Sequence, residues 1–167
     1  LFPRTQALNG AAAPDGARFY HHSPTTPPPL SIPSTPPGPA MSTFTKVTLY
    51  TDHDGYARFR EEEVPLSEGT PQAMLSALTP AKACQFRQSP VGFRSQFHCT
   101  TEEQWLFVLG GEMKIGLQDG SSRNFKAGQH FYSADTLPAG ATFDPKVHGH
   151  WSCQVGDEPL VTLFVKV

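Results

Sequence analysis

The sequence predicts an all-β fold, on three observations: short apolar segments set between turn residues, alternation with a period of two, and little helical periodicity. Over residues 91–98, Val91, Phe93 and Phe97 share one parity, while Arg94, Gln96 and His98 share the other. That alternation predicts a strand with one apolar and one polar face. The apolar run Trp105-Leu106-Phe107-Val108-Leu109 follows and stops at Gly110-Gly111. Polar groups gathered between two apolar strands suggest a lined cavity, and a histidine inside one is a candidate functional group. Further along, Asp119-Gly120 predicts a two-residue hairpin loop. Lys126-Ala127-Gly128 turns the chain into a further strand, HFYSA. Residues 160–167 form a last strand with largely apolar residues on both parities. One weak helix candidate lies at residues 71–78. No apolar run approaches the roughly 20 residues of a membrane span.

The chain divides by composition into a leader, residues 1–40, and a folded part, residues 41–167. Of its 17 prolines, ten fall in residues 1–40, with clusters at Pro27-Pro28-Pro29 and Pro36-Pro37. Proline lacks the backbone donor that sheets need, so this Pro/Ser/Thr-rich leader is expected to be disordered. Met41-Ser42-Thr43 has the look of a natural start to the folded part. The leader reads either as translated upstream sequence without function or as a targeting peptide. Arg4 and Arg18 against Asp15 make a thin case for the second, which would place the protein in an organelle; otherwise a cytoplasmic location is expected.

Lysine and arginine total 13 against 15 acidic residues, a net charge of −2 that leaves no electrostatic footprint for nucleic acid. The run Arg60-Glu61-Glu62-Glu63 is expected at a solvated strand end or turn. Cys84, Cys99 and Cys153 are odd in number and lack CxxC spacing, which predicts free thiols rather than a zinc ribbon. Cys99 directly follows His98, so on a strand the two would face opposite ways, and a Cys–His dyad built from them is disfavoured.

From Gly92 the chain continues with five residues, His98-x-Thr100, three residues, Gln104, six residues and Gly111. This resembles the first motif of the cupin superfamily, where the corresponding residues would be Gly, His-x-His, Glu and Gly. The spacing matches throughout; Thr100 and Gln104 depart from the pattern. For the second motif, Gly128 fits the opening glycine and Gly149-His150 the closing histidine. Pro138-Ala139-Gly140 imitates a Pro-x-Gly step, but Phe143 then stands where a histidine would be expected. Over residues 44–167 the chain resembles small single-domain cupins with a degenerate first motif. These run through an acidic turn (Asp52-His53-Asp54-Gly55), Phe97-His98, Gln104, Leu109-Gly110-Gly111-Glu112, Asp135-Thr136 and Gly149-His150. The resemblance implies a cupin-type double-stranded β-helix, a jelly-roll barrel.

It also implies a site. Cupins commonly hold a divalent metal with three histidines and a glutamate, and this chain offers His98, Gln104 and His150 as metal ligands. A divalent transition metal (Fe, Mn, Ni or Zn) is therefore one expectation, although neutral amide and hydroxyl oxygens are weak ligands for these ions. His130 and His148 are candidates to supplement the set, His148 through shared parity with His150. Arg94 and Gln96 share the parity of His98 and are candidate ligand-binding residues alongside Gln104 and His150. The alternative is that they lie on an exposed strand face. Asp135 either orients an imidazole or shapes a loop. The aromatic residues, Trp105 and Trp151 among them, are read as core or cavity wall. Two functions follow: a cupin domain binding a small polar ligand, or a metal-dependent enzyme (isomerase, dioxygenase or lyase) acting on a small organic acid or sugar derivative. A homodimer is expected if the strand at residues 47–50 presents an open edge.

Overall fold

The computed structural model describes residues 42–167, and the expectations about the leader lie outside the described residues. These residues form eleven strands and no helix: β1 (Thr43–Thr51), β2 (Ala57–Pro65), β3 (Glu68–Thr70), β4 (Ala73–Leu75), β5 (Ala83–Ser89), β6 (Gln104–Gly110), β7 (Glu112–Gly116), β8 (Ser122–Lys126), β9 (His130–Ala134), β10 (Trp151–Val155) and β11 (Leu160–Lys166). The all-β expectation holds. Six strands form one sheet in the order β2-β1-β9-β6-β11-β5, and three form a second, β10-β7-β8; β3 and β4 make a separate hairpin. β1 and β9 run parallel, and the other pairs run antiparallel.

The core is built from the inward parity of both sheets. In β9, Phe131 and Ser133 are buried while His130 and Tyr132 lie on the other face; in β7, Met113 and Ile115 are buried. Leu49, Leu106, Val108, Phe125 and Leu160 complete the same apolar cluster. Fully burying side chains of this kind stabilises by about 1.5–3 kcal/mol each, which is why the period-two pattern sets the register.

Several turns follow their residues. Gly111 closes β6 at φ 70°, and a β-carbon there would come within 2.6 Å of the Pro159 carbonyl oxygen, so only glycine fits. Asp119-Gly120 does close the β7–β8 hairpin, but through a loop longer than the predicted two residues. Leu117 N donates to Ser121 O and Gly120 N to Leu117 O, so Gln118 joins the turn and Gly120 takes the left-handed position at φ 82°.

Four expectations are corrected. Residues 71–78 are not helical: Thr70 pairs with Ala73 and Pro71-Gln72 forms the turn of the β3–β4 hairpin, a place that suits the fixed φ of proline. The run Arg60-Glu61-Glu62-Glu63 lies inside β2, not at a strand end or turn. There Glu62 pairs with Lys46 and Glu61 with Arg123, and the charges stud an edge strand, where they oppose unwanted pairing. Residues 47–50 are not an edge, because β1 lies between β2 and β9; that ground for a homodimer falls away. Finally, residues 91–98 are not a regular strand: Val91 and Gly92 lie in a turn, and the chain then runs beside β10 with two isolated bridges, Arg94 to Cys153 and His98 to His150.

Replacing Ile115, which is wholly buried, by alanine is expected to cost about 2–5 kcal/mol. Chemical denaturation checks this: the midpoint should fall with little change in slope.

Candidate functional site

The path beside β10 carries the geometry of the site. Between its two bridges the chain advances four residues on one side, Arg94 to His98, and three on the other, Cys153 to His150. The extra residue acts as a bulge, and a one-residue shift reverses which face a side chain meets. Arg94 is therefore opposite Cys153 on the outer parity of β10, whereas His98 is opposite His150 on the inner parity, with buried Ser152 and Gln154. Ser95, of the opposite parity in sequence, reaches inward, its Oγ accepting from Ser152 N at 2.8 Å.

His98 and His150 are locked together through the backbone. His98 N donates to His150 O at 2.9 Å, and His150 N donates to His98 O at 3.0 Å. Gly149 makes this approach possible. Its φ is 76°, and a β-carbon on it would stand 2.2 Å from the His98 carbonyl oxygen. The imidazoles end with ring centroids 4.5 Å apart, tilted by 50°.

Both rings line a cavity of about 210 Å³ between the sheets, with Gln104, Thr100 and Ser152 also on its wall and Leu106, Met113, Ile115 and Phe131 as its apolar floor. Each imidazole is oriented through Nδ1. In His98 this atom donates to the Gln96 carbonyl at 2.9 Å, and in His150 to Asp135 Oδ2 at 2.5 Å. Asp135 is wholly buried, and its Oδ1 accepts from the Thr100 hydroxyl at 2.6 Å and from Ser133 at 3.1 Å. The carboxylate thus lies behind the wall, held by Thr100, Ser133 and His150. With Nδ1 donating, Nε2 is the acceptor of each ring in its neutral form.

Burial holds His98 below the ordinary histidine range, and the neighbouring charges of His150 and Arg87 push the same way, against the Gln96 carbonyl and Asp135. Burial, then the Asp135 charge, holds the Cys99 thiol above its usual range. Cys99 lines the cavity with His98, so the two do not part to opposite faces as a regular strand would require. A thiol kept protonated remains a poor nucleophile. All three cysteines are free.

Of the predicted site residues, His98, Gln104 and His150 meet at this cavity. Arg94 and Gln96 do not. The Arg94 guanidinium stacks 3.8 Å from the Trp151 ring centroid, over the ring that covers Gly116, and Gln96 is exposed. His148 also stays outside: positive φ at Gly149 breaks the alternation, and its Nδ1 accepts from Asp144 N at 2.9 Å. His130 sits on the opposite face of β9, stacked on Phe44. Sequence reasoning missed Arg87, a cavity-lining residue of β5. Its strand, ACQFRQS, has no apolar alternation to draw attention to it, and the sequence offers no signal for Arg87.

The donor set is a poor fit to a resident first-row metal. Thr100 is committed to Asp135, both Asp135 oxygens are taken, and the remaining donors, two imidazoles and the Gln104 amide, are neutral. Arg87 adds a positive charge to the same wall. Among the described residues no group of three or more His, Cys, Asp or Glu side chains is arranged to hold a metal ion.

Asp135→Asn is expected to free the His150 ring from its present tautomer and to cost about 1–3 kcal/mol, the scale of an unmet buried partner. Nitrogen NMR of the imidazoles and thermal denaturation read the two effects. His98 should titrate below the ordinary value near 6.5. The sign follows: its contribution to stability is intact above about pH 6.5 and declines below it, because the unfolded chain takes up the proton first. Proton NMR titration of wild type and His150→Ala checks this, with the His98 midpoint rising in the variant.

No family profile and no curated protein sequence matches the chain. Among solved structures it is similar to the Schizosaccharomyces pombe Cnp3 cupin domain, with 14% identity, a TM-score of 0.36, and coverage of 75% of this chain and 84% of that one.

Proposed function

We propose that residues 42–167 form a cupin-type domain that binds a small polar molecule in the cavity between the sheets. The observation that carries this is the pair of oriented imidazoles: each has Nδ1 fixed by an acceptor, so Nε2 is the polar atom left for a ligand. The Gln104 amide on the same wall has no side-chain hydrogen bond among the described residues and adds both a donor and an acceptor. The volume of about 210 Å³ lies below the roughly 300–1,000 Å³ of drug-sized sites, which limits the occupant to a few carbons and a few polar groups.

The second reading is a metal-dependent enzyme of isomerase, dioxygenase or lyase type, with His98, Gln104 and His150 as ligands. One observation favours it: an imidazole oriented by a carboxylate, as Asp135 orients His150, is a common arrangement around metals. The neutrality of the remaining donors weighs against it, and no reaction step is assigned.

Elemental analysis separates the two. Purified protein is expected to carry metal well below stoichiometry and to keep its melting temperature in chelator. A thermal-shift screen of small acids, polyols and amides should give stabilisation that is lost in His98→Ala and His150→Ala. Stoichiometric metal, absent from both variants, would reverse the order of the readings.

A further inference from the structure

Arg87 changes what the cavity can hold. Among the cavity-lining residues it is the one Lys, Arg, Asp or Glu, since Asp135 stays behind the wall. No carboxylate lies within 4.0 Å of its guanidinium among the described residues, although the other arginines from Arg58 to Arg123 include several in ion pairs. Its guanidinium is instead centred 4.6 Å from the Phe93 ring centroid. A guanidinium against an aromatic ring keeps its N–H donors in the plane of the group, available to an anion. Arg87 is also partly desolvated, which strengthens any charge-assisted bond it makes.

The rest of the wall narrows the class. A bare sulfate or phosphate would leave the floor of Leu106, Met113, Ile115 and Phe131 uncovered, whereas a ligand with a short carbon body would bury it. The two Nε2 acceptors call for a donor on the ligand, which a hydroxyl supplies.

We propose that the cavity takes a short-chain hydroxycarboxylate, with Arg87 meeting the carboxylate, Nε2 of either His98 or His150 accepting from the hydroxyl, and the apolar floor covering the carbon body. This rests on the reading of the cavity as a small-molecule site and specifies its chemistry. A bidentate bond between guanidinium and carboxylate accounts for a preference that the imidazoles alone do not supply.

Calorimetry on the full chain tests it with four probes: 2-hydroxybutyrate, its uncharged amide, butyrate and inorganic sulfate. The expected order is 2-hydroxybutyrate ahead of butyrate, with the amide and sulfate weaker by about tenfold or more. Arg87→Met, which keeps an unbranched apolar chain beside Phe93 and removes the guanidinium, should lose about tenfold or more for both carboxylates. Thermal denaturation of that variant checks its folding, and the comparison of acid with amide on wild type stands even if it fails to fold. Equal binding of acid and amide, or unchanged carboxylate binding in Arg87→Met, overturns the inference while leaving the small-molecule reading in place. Sulfate binding at least as well as 2-hydroxybutyrate overturns it too. If no probe binds but a polyol stabilises the chain through His98 and His150, the inference falls and the broader reading survives; if nothing binds, both fall.

Discussion

The site depends on one close approach, the paired backbone hydrogen bonds between His98 and His150. Two side chains 52 residues apart in sequence have their rings 4.5 Å apart, and here the backbones that carry them are bonded to each other. Gly149 permits that contact, since any β-carbon there would strike the His98 carbonyl. The backbone bridge then fixes where each imidazole begins, and the Nδ1 partners fix how each is turned. Loss of either bond at Nδ1 would leave the fold standing and the site disordered, because rigid placement of a binding group comes from the groups behind it.

Much of the fold was legible. The strands around Trp105, Phe131 and Leu163, and the turns at Gly111, Gly120 and Gly128, were all readable from alternation and glycine placement. His98, Gln104 and His150 were legible through motif spacing, which counts residues and tolerates changes in their identity. Arg94 failed for a physical reason. Alternation assumes an unbroken ladder, and the bulge between Arg94 and His98 inserts a residue that no periodicity reveals. His148 failed in the same way at Gly149, where positive φ resets the parity. Arg87 was illegible because a side chain on a polar edge strand looks like a surface residue until β5 joins β11 and one of its faces is turned to the cavity.

The departures at Thr100 and Gln104 belong together. Where the resembled motif implies a histidine and a glutamate facing the cavity, this chain has a threonine that bonds Asp135 and an amide without charge. The carboxylate nearest the imidazoles, that of Asp135, lies behind the wall, with Thr100, Ser133 and His150 meeting its oxygens. Burying this carboxyl group is tolerable because both of its oxygens meet polar partners from the protein. What the cavity loses is an anion able to attract a cation, and what remains at its surface is Arg87.

That inversion of sign bears on His98. Burial, with a smaller push from His150 and Arg87, disfavours the charged form of its ring, and in the neutral form it meets a ligand as an acceptor. An anion beside Arg87 would cancel part of the charge that opposes protonation of His98. By reciprocity, protonation of His98 must then strengthen the hold on that anion. The two effects pull against each other for a hydroxylated anion: the neutral ring receives its hydroxyl, and the charged ring attracts its carboxylate. A cavity balanced in this way would favour ligands that offer both groups, because either protonation state of His98 then finds a partner.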